Sequence, residues 1–303
     1  MATKILITGG SGFIGSNLIV ELIKQGYDIV DLSKHESTIP GVKTLKIDLT
    51  TDDLSLLDDY KFDYVIHLAA ISSIKNAQGN EEETIKINLD GTKKILKYFS
   101  NKNLKKFIFL SSVTVYQEVD TELTEDSKYI VDKSANIYSY SKFLAENECK
   151  KYDNKMPIII FRLANAYGPL QRVGKTPNLV PQIIYQALKD KKIEVYNGKF
   201  ARDFIYVSDI VDAIISGLKS PFKGTLNLGT GRATKVEEIA RIVQDELGVE
   251  FKDLQRKIKA PLELTPNIAL IKDILKWEPR ISLKEGITKT IKYYKTEFEN
   301  GRL

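Results

Sequence analysis

Residues 4–15 read Lys4-Ile-Leu-Ile-Thr8-Gly9-Gly10-Ser11-Gly12-Phe13-Ile14-Gly15: a short apolar run, a cluster of glycines, then a helical pattern. Gly9 permits a tight exit from a strand, Gly12 lets a pyrophosphate come close to the backbone, and Gly15 lets the following helix pack on a sheet. Residues 12–25 place Ile14, Leu18, Leu22 and Ile23 on one side of that helix, as an amphipathic pattern requires. Its N-terminus offers unpaired amides and a positive dipole end to phosphate. A glycine turn is informative only in context, and here an acid, Asp31, follows at the end of a second strand over 27–31. Its carboxylate would accept hydrogen bonds from the adenosine ribose hydroxyls and repel a 2'-phosphate, so the expected dinucleotide is NAD rather than NADP. Lys34 works slightly against that choice. Asp48, after a third strand, suits either the adenine edge or the cap of a turn.

Outward from this turn the chain alternates strands and helices. Further strands are expected over 42–47, 64–68, 106–111 and 157–163, with helices over 82–100 and 137–152. Continuous apolar strands between helices imply a parallel sheet covered on both faces. The expected fold class is α/β: a doubly wound parallel Rossmann sheet with a smaller α/β lobe for the substrate. Residues 1–163 form the dinucleotide-binding part and 164–303 the second lobe, with the segment near 204–218 returning to the first. In the second lobe, helices are expected near 179–190, 209–218 and 235–247, and short strands near 193–196 and 204–207.

The segment Tyr138-Ser-Tyr-Ser-Lys142 puts a lysine four residues after a tyrosine. On a helix the two share one face. A phenol titrates near ~10, and a fixed cation beside it favours the phenolate, so Tyr138 could accept a proton near neutral pH. The spacing alone also fits a surface pair.

Composition excludes several alternatives. The 303 residues carry 45 basic and 40 acidic side chains, a net charge of +5, with the lysines scattered. A solvated face explains them better than a nucleic-acid stripe, and an anionic small substrate suits the charge equally well. One cysteine, Cys149, allows no internal disulfide, and with two histidines there is no cluster of metal-ligand spacing. With no apolar run long enough to span a membrane and no leader-like N-terminus, the expected compartment is the cytoplasm.

Together these features resemble the extended short-chain dehydrogenase/reductase family, in particular its NAD-dependent sugar-nucleotide epimerases and dehydratases. The matching segments are the glycine turn, His67-Leu68-Ala69-Ala70, Asn88-Leu-Asp-Gly91-Thr92, Ser111-Ser112-Val-Thr114-Val-Tyr116, the Tyr138/Lys142 pair, Arg162-Leu-Ala-Asn165-Ala-Tyr167-Gly168-Pro169, Arg202-Asp203-Phe-Ile-Tyr206-Val, Asn227-Leu-Gly229-Thr-Gly231 and Leu275-Lys-Trp277-Glu-Pro279. The resemblance implies that Tyr138 is the base, that Ser112 bonds the reacting hydroxyl, and that Lys142 holds the nicotinamide ribose and lowers the tyrosine pKa. His67 is read as a packing residue. The implied cofactor contacts are Gly9, Gly12, Phe13, Ile14, Gly15, Asp31, Asp48, Leu49, Leu68, Ala69, Ala70 and Asn88, with Tyr138 and Lys142. The implied substrate contacts are Ser72, Ser112, Thr114, Tyr138, Asn165, Asn178, Leu179, Tyr196, Arg202, Lys257 and Leu264. Arg202 suits a nucleotide diphosphate, because its planar fork meets phosphate oxygens in pairs. Relatives also imply a homodimer formed by the helix carrying Tyr138 and the one before it, with Phe143, Leu144, Ile95, Leu96 and Phe99 as apolar surface, some of which must face the sheet.

Relatives that eliminate water carry an Asp-Glu pair directly after the catalytic hydroxyl residue, where this chain has Val113 and Thr114. Those that epimerise carbons 3 and 5 use a Cys/His pair, absent from 112–116 and 169–172. What remains resembles a 4-epimerase, with a 4-keto-sugar reductase as runner-up and a silent dinucleotide-binding sensor or scaffold as the alternative of another class. In an ungapped count from Trp277, Lys257 and Ala260 stand where epimerases have a second diphosphate arginine and an aspartate. Leu264 stands where a tyrosine limits room at carbon 2, so N-acetylated sugars are expected to be tolerated.

Overall fold

A computed structural model describes residues 3–116, 122–129, 132, 136–173, 178–254 and 264–303. The run before the glycines is β1 (Lys4–Thr8). It pairs in parallel with β2 (Asp28–Ser33) on one side and β4 (Tyr64–His67) on the other. Beyond β2 lies β3 (Lys43–Lys46), and beyond β4 lie β5 (Lys106–Ser112) and β6 (Ile158–Leu163). All six residues of β6 and all seven of β5 are buried, which is why these strands read as continuous apolar runs.

Alternate residues of each strand enter different cores, because successive side chains point to opposite faces. Ile5 and Ile7 join Leu18, Ile19 and Leu22 of α1 (Phe13–Lys24) together with Ile210 and Ile214 of a later helix. Leu6, Phe107 and Phe109 join Ile95, Leu96 and Phe99 on the other face. The expected helix over 82–100 is interrupted. It consists of α3 (Glu81–Ile85), a wider π turn (Lys86–Asp90) and α4 (Gly91–Phe99), with a one-turn α2 (Ile74–Ala77) before them. Next on this face is α5 (Ile137–Lys150).

The second lobe uses short strands in pairs. β7 (Asn165–Tyr167) pairs with β10 (Phe204–Tyr206), β8 (Lys192–Tyr196) with β13 (Glu250–Leu254), and β9 (Ala201–Arg202) with β12 (Thr234–Lys235). Around them α6 (Leu179–Asp190), α8 (Val236–Leu247) and α10 (Leu283–Glu299) close a third apolar core through Ile184, Ile239 and Ile291. The chain crosses between lobes. α7 (Val207–Lys219) packs in the first core. So do β11 (Gly224–Leu228) and α9 (Ala269–Leu275). β11 is the edge of the seven-stranded sheet, whose order is β11-β6-β5-β4-β1-β2-β3.

Part of the apolar surface on the helix before Tyr138 faces the sheet. Ile95, Leu96 and Phe99 are each at most 2% exposed and face the sheet of their own chain, because the stripe that α4 buries has to cover β4 and β5. Only Phe143 and Leu144 of that set stay partly exposed. Among the described residues no helix is long and apolar enough to cross a membrane.

Candidate active site

Parallel pairing brings the carboxyl ends of β1, β2, β4 and β5 to one edge of the sheet. Thr8 lies opposite both Leu32 and His67, and His67 opposite Phe109. The strand order reverses at β1, the place where open α/β sheets hold ligands. At this edge Gly9 turns with φ 74°, a backbone that side chains other than glycine's rarely adopt, and a Cβ there would come within 2.8 Å of the Ala69 nitrogen. Gly12 precedes α1 and donates its amide to the Gly9 carbonyl at 3.1 Å. Gly15 is buried against the Gly9–Gly10 backbone, while Phe13 and Ile14 are half-buried at the start of α1.

Asp31 is fully buried at the end of β2. One oxygen, Oδ1, accepts from the Gly10 amide at 2.8 Å and from the Ser33 hydroxyl at 2.6 Å. The other, Oδ2, is buried without a partner. Burial raises its pKa against the hydrogen bonds from Ser33 and Gly10 that lower it. Gly10 is the residue that the sequence reading passed over: a Cβ there would sit 2.4 Å from Asp31 Oδ1, so the carboxylate needs a glycine beneath it. Asp48 caps its own turn by accepting from the Thr50 amide and hydroxyl, and it pairs with Lys34 at 2.8 Å. Burial opposes its ionisation, but the Lys34 and Thr50 contacts outweigh this and hold it at about 2. Lys34 is engaged with Asp48. Leu49 is buried behind it.

Leu68, Ala69 and Ala70 follow β4, half-buried. Two threonines and His67 hold them from below. Ala69 donates its amide to Thr8 Oγ1 at 3.1 Å, Thr8 meets His67 Nδ1 at 2.6 Å, and His67 Nε2 meets Thr92 Oγ1 at 2.9 Å. Thr92 donates to the Asn88 carbonyl, so it accepts from Nε2–H, and Nδ1 is left to accept from Thr8. His67 is therefore neutral. Burial, aided by the nearby Lys142 charge, lowers its pKa to about 3. Asn88, expected at the cofactor, spends its side chain on Ile71 N at 2.8 Å, Ile71 O at 3.1 Å and Ser141 Oγ at 2.9 Å. From the π turn it ties the loop after β4 to α5. Ser72, one residue beyond, is exposed.

α5 starts at Asn136, whose side chain caps the Ser139 amide. Tyr138 and Lys142 are both buried on it. The Ser112 hydroxyl is near enough to Tyr138 to lower its pKa, and Ser112 accepts from Thr114 N at 3.2 Å and Thr114 Oγ1 at 3.0 Å. With both Thr114 groups donating, the Ser112 proton is left for Tyr138. Lys142 Nζ donates to the Leu110 carbonyl at 2.8 Å and lies 4.9 Å above the Phe109 ring. Burial raises the pKa of Tyr138, and the Ser112 hydroxyl opposes that rise. Lys142 itself is brought down to about 8 by burial.

The residues expected around the substrate are only partly brought together. Asn165 donates its amide to the Asp203 carbonyl at 2.9 Å, next to Arg202. Asp203 is buried and accepts from Thr230 N, Thr230 Oγ1 and Gly231 N, fixing the turn after β11. Asn178 and Leu179 open α6, and the Asn178 side chain does not cap the helix. Tyr196 is 43% exposed at the end of β8, opposite Leu254. Lys257 and Ala260 lie outside the described residues. Leu264 is 6% exposed within the core that includes Val113, Tyr116, Leu123 and Trp277. Substitution there would disturb the core before it altered sugar range.

Comparison with known proteins agrees with this edge. Residues 5–229 match the NAD dependent epimerase/dehydratase family, and the chain belongs to that family. It is 29% identical to a UDP-N-acetyl-alpha-D-glucosaminuronate decarboxylase of Bacillus cytotoxicus over 99% of this chain and 100% of that one. It is also 29% identical to a putative UDP-glucose 4-epimerase of Methanocaldococcus jannaschii, covering 96% and 98%. The UDP-glucose 4-epimerase of Thermotoga maritima, solved with UDP-glucose, superposes with a TM-score of 0.89 at 25% identity, covering 98% of this chain and all of that one. The protein is thus an NAD-dependent enzyme of the extended short-chain dehydrogenase/reductase type. The residues fit the cofactor: the glycine cradle leaves room at the α1 N-terminus, and the orphaned Asp31 Oδ2 is an acceptor suited to a ribose hydroxyl.

Two predictions follow from this geometry. Asp31→Ala should weaken NAD binding by roughly 10- to 100-fold, the usual worth of hydrogen bonds to a charged group, and should narrow the gap to NADP. Calorimetry with both dinucleotides measures it, and a native preference for NADP would contradict the role given to Asp31. His67 supplies the second. An ordinary histidine protonates near 6.5, whereas the folded site holds this one neutral down to about 3. The unfolded chain therefore takes up a proton that the folded chain refuses. Stability should be complete above pH 6.5 and fall toward pH 3 by up to ~1.4 kcal/mol per pH unit from this group. Urea titrations at several pH values should show that slope reduced in His67→Gln.

Proposed function

We propose that this chain is an NAD-dependent sugar-nucleotide 4-epimerase, acting by transient oxidation at carbon 4 of a nucleoside-diphosphate hexose. One observation carries the reading. Ser112, Tyr138 and Lys142 meet in a single buried site, while the two positions after Ser112 hold the buried Val113 and a Thr114 engaged with Ser112. Elimination of water needs an acid and a base beside the departing group, and neither position offers one. Chemistry confined to carbon 4 needs a single proton acceptor. The 4-epimerases among the relatives support the same reading.

NAD, when bound, would supply a reversible hydride acceptor and positive charge. Burial keeps Tyr138 a phenol on its own, so it accepts a proton only with positive charge nearby, and Lys142 is this chain's contribution to that charge. The Ser112 hydroxyl, held by Thr114, orients the 4-hydroxyl toward Tyr138. After oxidation the 4-keto sugar turns, and as hydride is returned to the other face of carbon 4, Tyr138 gives its proton back to the 4-oxygen. Throughout, the diphosphate has to stay fixed, the task we assign to Asn165, Arg202 and the α6 N-terminus at Asn178–Leu179. Binding energy from that remote handle is what holds a freely turning sugar at the reacting atoms.

A panel of sugar nucleotides, hexoses, N-acetylhexosamines and hexuronates, incubated with the protein and read by NMR, tests the proposal. Interconversion at carbon 4 alone is expected. Loss of carbon dioxide from a hexuronate would place the chain with its decarboxylase relatives, since a 4-ketone beside a carboxylate at carbon 5 is a β-keto acid. Consumption of added reduced nicotinamide with a 4-keto sugar would indicate the reductase. On whichever substrate turns over, Tyr138→Phe should lose roughly 100- to 10,000-fold in rate with NAD binding nearly unchanged, because the ring stays and only the proton acceptor goes.

A further inference from the structure

Tyr138, Lys142 and Glu146 stand four residues apart on one face of α5. Each comes to one of three consecutive residues of β5: Tyr138 lies beside Ser112, Lys142 donates to the Leu110 carbonyl at 2.8 Å, and Glu146 accepts from the Ser111 hydroxyl at 2.5 Å. Behind Glu146 stands Arg162 of β6, and both side chains are wholly buried. All five guanidinium N–H groups are used. Nε and one Nη2 hydrogen bind the Glu146 carboxylate at 3.1 and 2.8 Å, and the other Nη2 hydrogen goes to the Tyr129 hydroxyl at 2.6 Å. Nη1 reaches the Tyr116 hydroxyl and the Glu125 carbonyl, each at 2.8 Å. Tyr116 in turn donates to Asn227 Oδ1 in β11.

A buried ion pair is weak evidence for stability, since desolvation offsets much of the attraction. A pair this completely satisfied is better explained by geometry. We infer that the Glu146–Arg162 pair is the positioning device of this site: Arg162 fixes Glu146, and Glu146 fixes the face of α5 from which Lys142 and Tyr138 reach β5. The inference rests on the reading of Tyr138 and Lys142 as the reacting pair. Neither Glu146 nor Arg162 touches the reacting atoms. Their influence reaches the site through helix register and through charge.

The charge can be traced. Facing Lys142 are Glu146 and Cys149 from its own helix and the neutral His67 from β4, with Arg162 of β6 beyond Glu146. Glu146 is the anion of this set that favours the Lys142 ammonium, while Arg162 alone would disfavour it. Glu146→Gln removes the anion and leaves the cation, so Lys142 should lose its proton at lower pH.

The test uses the full chain labelled with 13C-lysine, with the Lys142 signal assigned through Lys142→Arg. In the parent that signal should titrate near pH 8. In Glu146→Gln it should titrate lower by on the order of one pH unit. On the substrate found to turn over, kcat should fall about tenfold or more through misplacement of the reacting groups, with KM nearly unchanged and the alkaline limb of the rate profile displaced in the same direction. A folded Glu146→Gln whose Lys142 titrates as in the parent would overturn the inference. If that variant does not fold, Ser111→Ala removes one Glu146 contact. It should lower kcat several-fold with unchanged NAD affinity, and an unchanged kcat would overturn the inference equally. The titration needs no turnover. A shifted Lys142 in a protein that converts no sugar nucleotide would support the pair while removing the epimerase reading.

Discussion

The seating of α5 on β5 sets where the reacting groups stand. Three side chains at successive helical turns meet three consecutive strand residues, and Arg162 of the neighbouring strand closes the arrangement from behind. Helical rise per turn and strand rise per residue differ, so such a match holds only for one placement of the helix. Asn88 adds a second restraint from the π turn by bonding Ser141 on the same helix. Placement matters because the site is buried. Burial holds Tyr138 as a phenol and brings Lys142 down to about 8, so each proton depends on which neighbour is within reach.

At the cofactor edge the same economy of space appears in reverse, with side chains missing where the ligand must approach. Gly9, Gly10 and Gly12 follow one another around the turn, and a Cβ on Gly10 would strike the carboxylate of Asp31. Asp31 is left with one satisfied oxygen and one orphan. A buried unpaired acceptor is costly in a protein without a ligand and is what a ribose hydroxyl would relieve. His67, with its two threonines, supports the Leu68–Ala70 wall of that edge from within the sheet, as a neutral packing group.

Much of this was legible in the sequence because it rests on local patterns. The glycine turn, the buried strands and the Tyr138/Lys142 spacing are short-range features whose period declares them. The interruption at Lys86–Asp90 was not, since every residue there is compatible with an unbroken helix and Asn88 is drawn into the π turn by tertiary bonds to Ile71 and Ser141. Short strands of the second lobe, such as Ala201–Arg202, pair two residues at a time and leave no periodic trace. The apolar stripe Ile95, Leu96 and Phe99 was visible, but which surface it covers depends on the sheet beneath it. Glu146 was within reach of sequence reading, being four residues beyond Lys142, yet its importance lies in Arg162, sixteen residues further along the chain.

The central claim is that hydride leaves carbon 4 and returns to the same carbon without escaping the site. A sugar nucleotide carrying deuterium at carbon 4 tests this most directly, with the product followed by NMR in ordinary water. The account predicts that the epimeric product keeps all of its deuterium at carbon 4. Loss of the label to solvent or to free reduced cofactor, or a product altered at any other carbon, would contradict it.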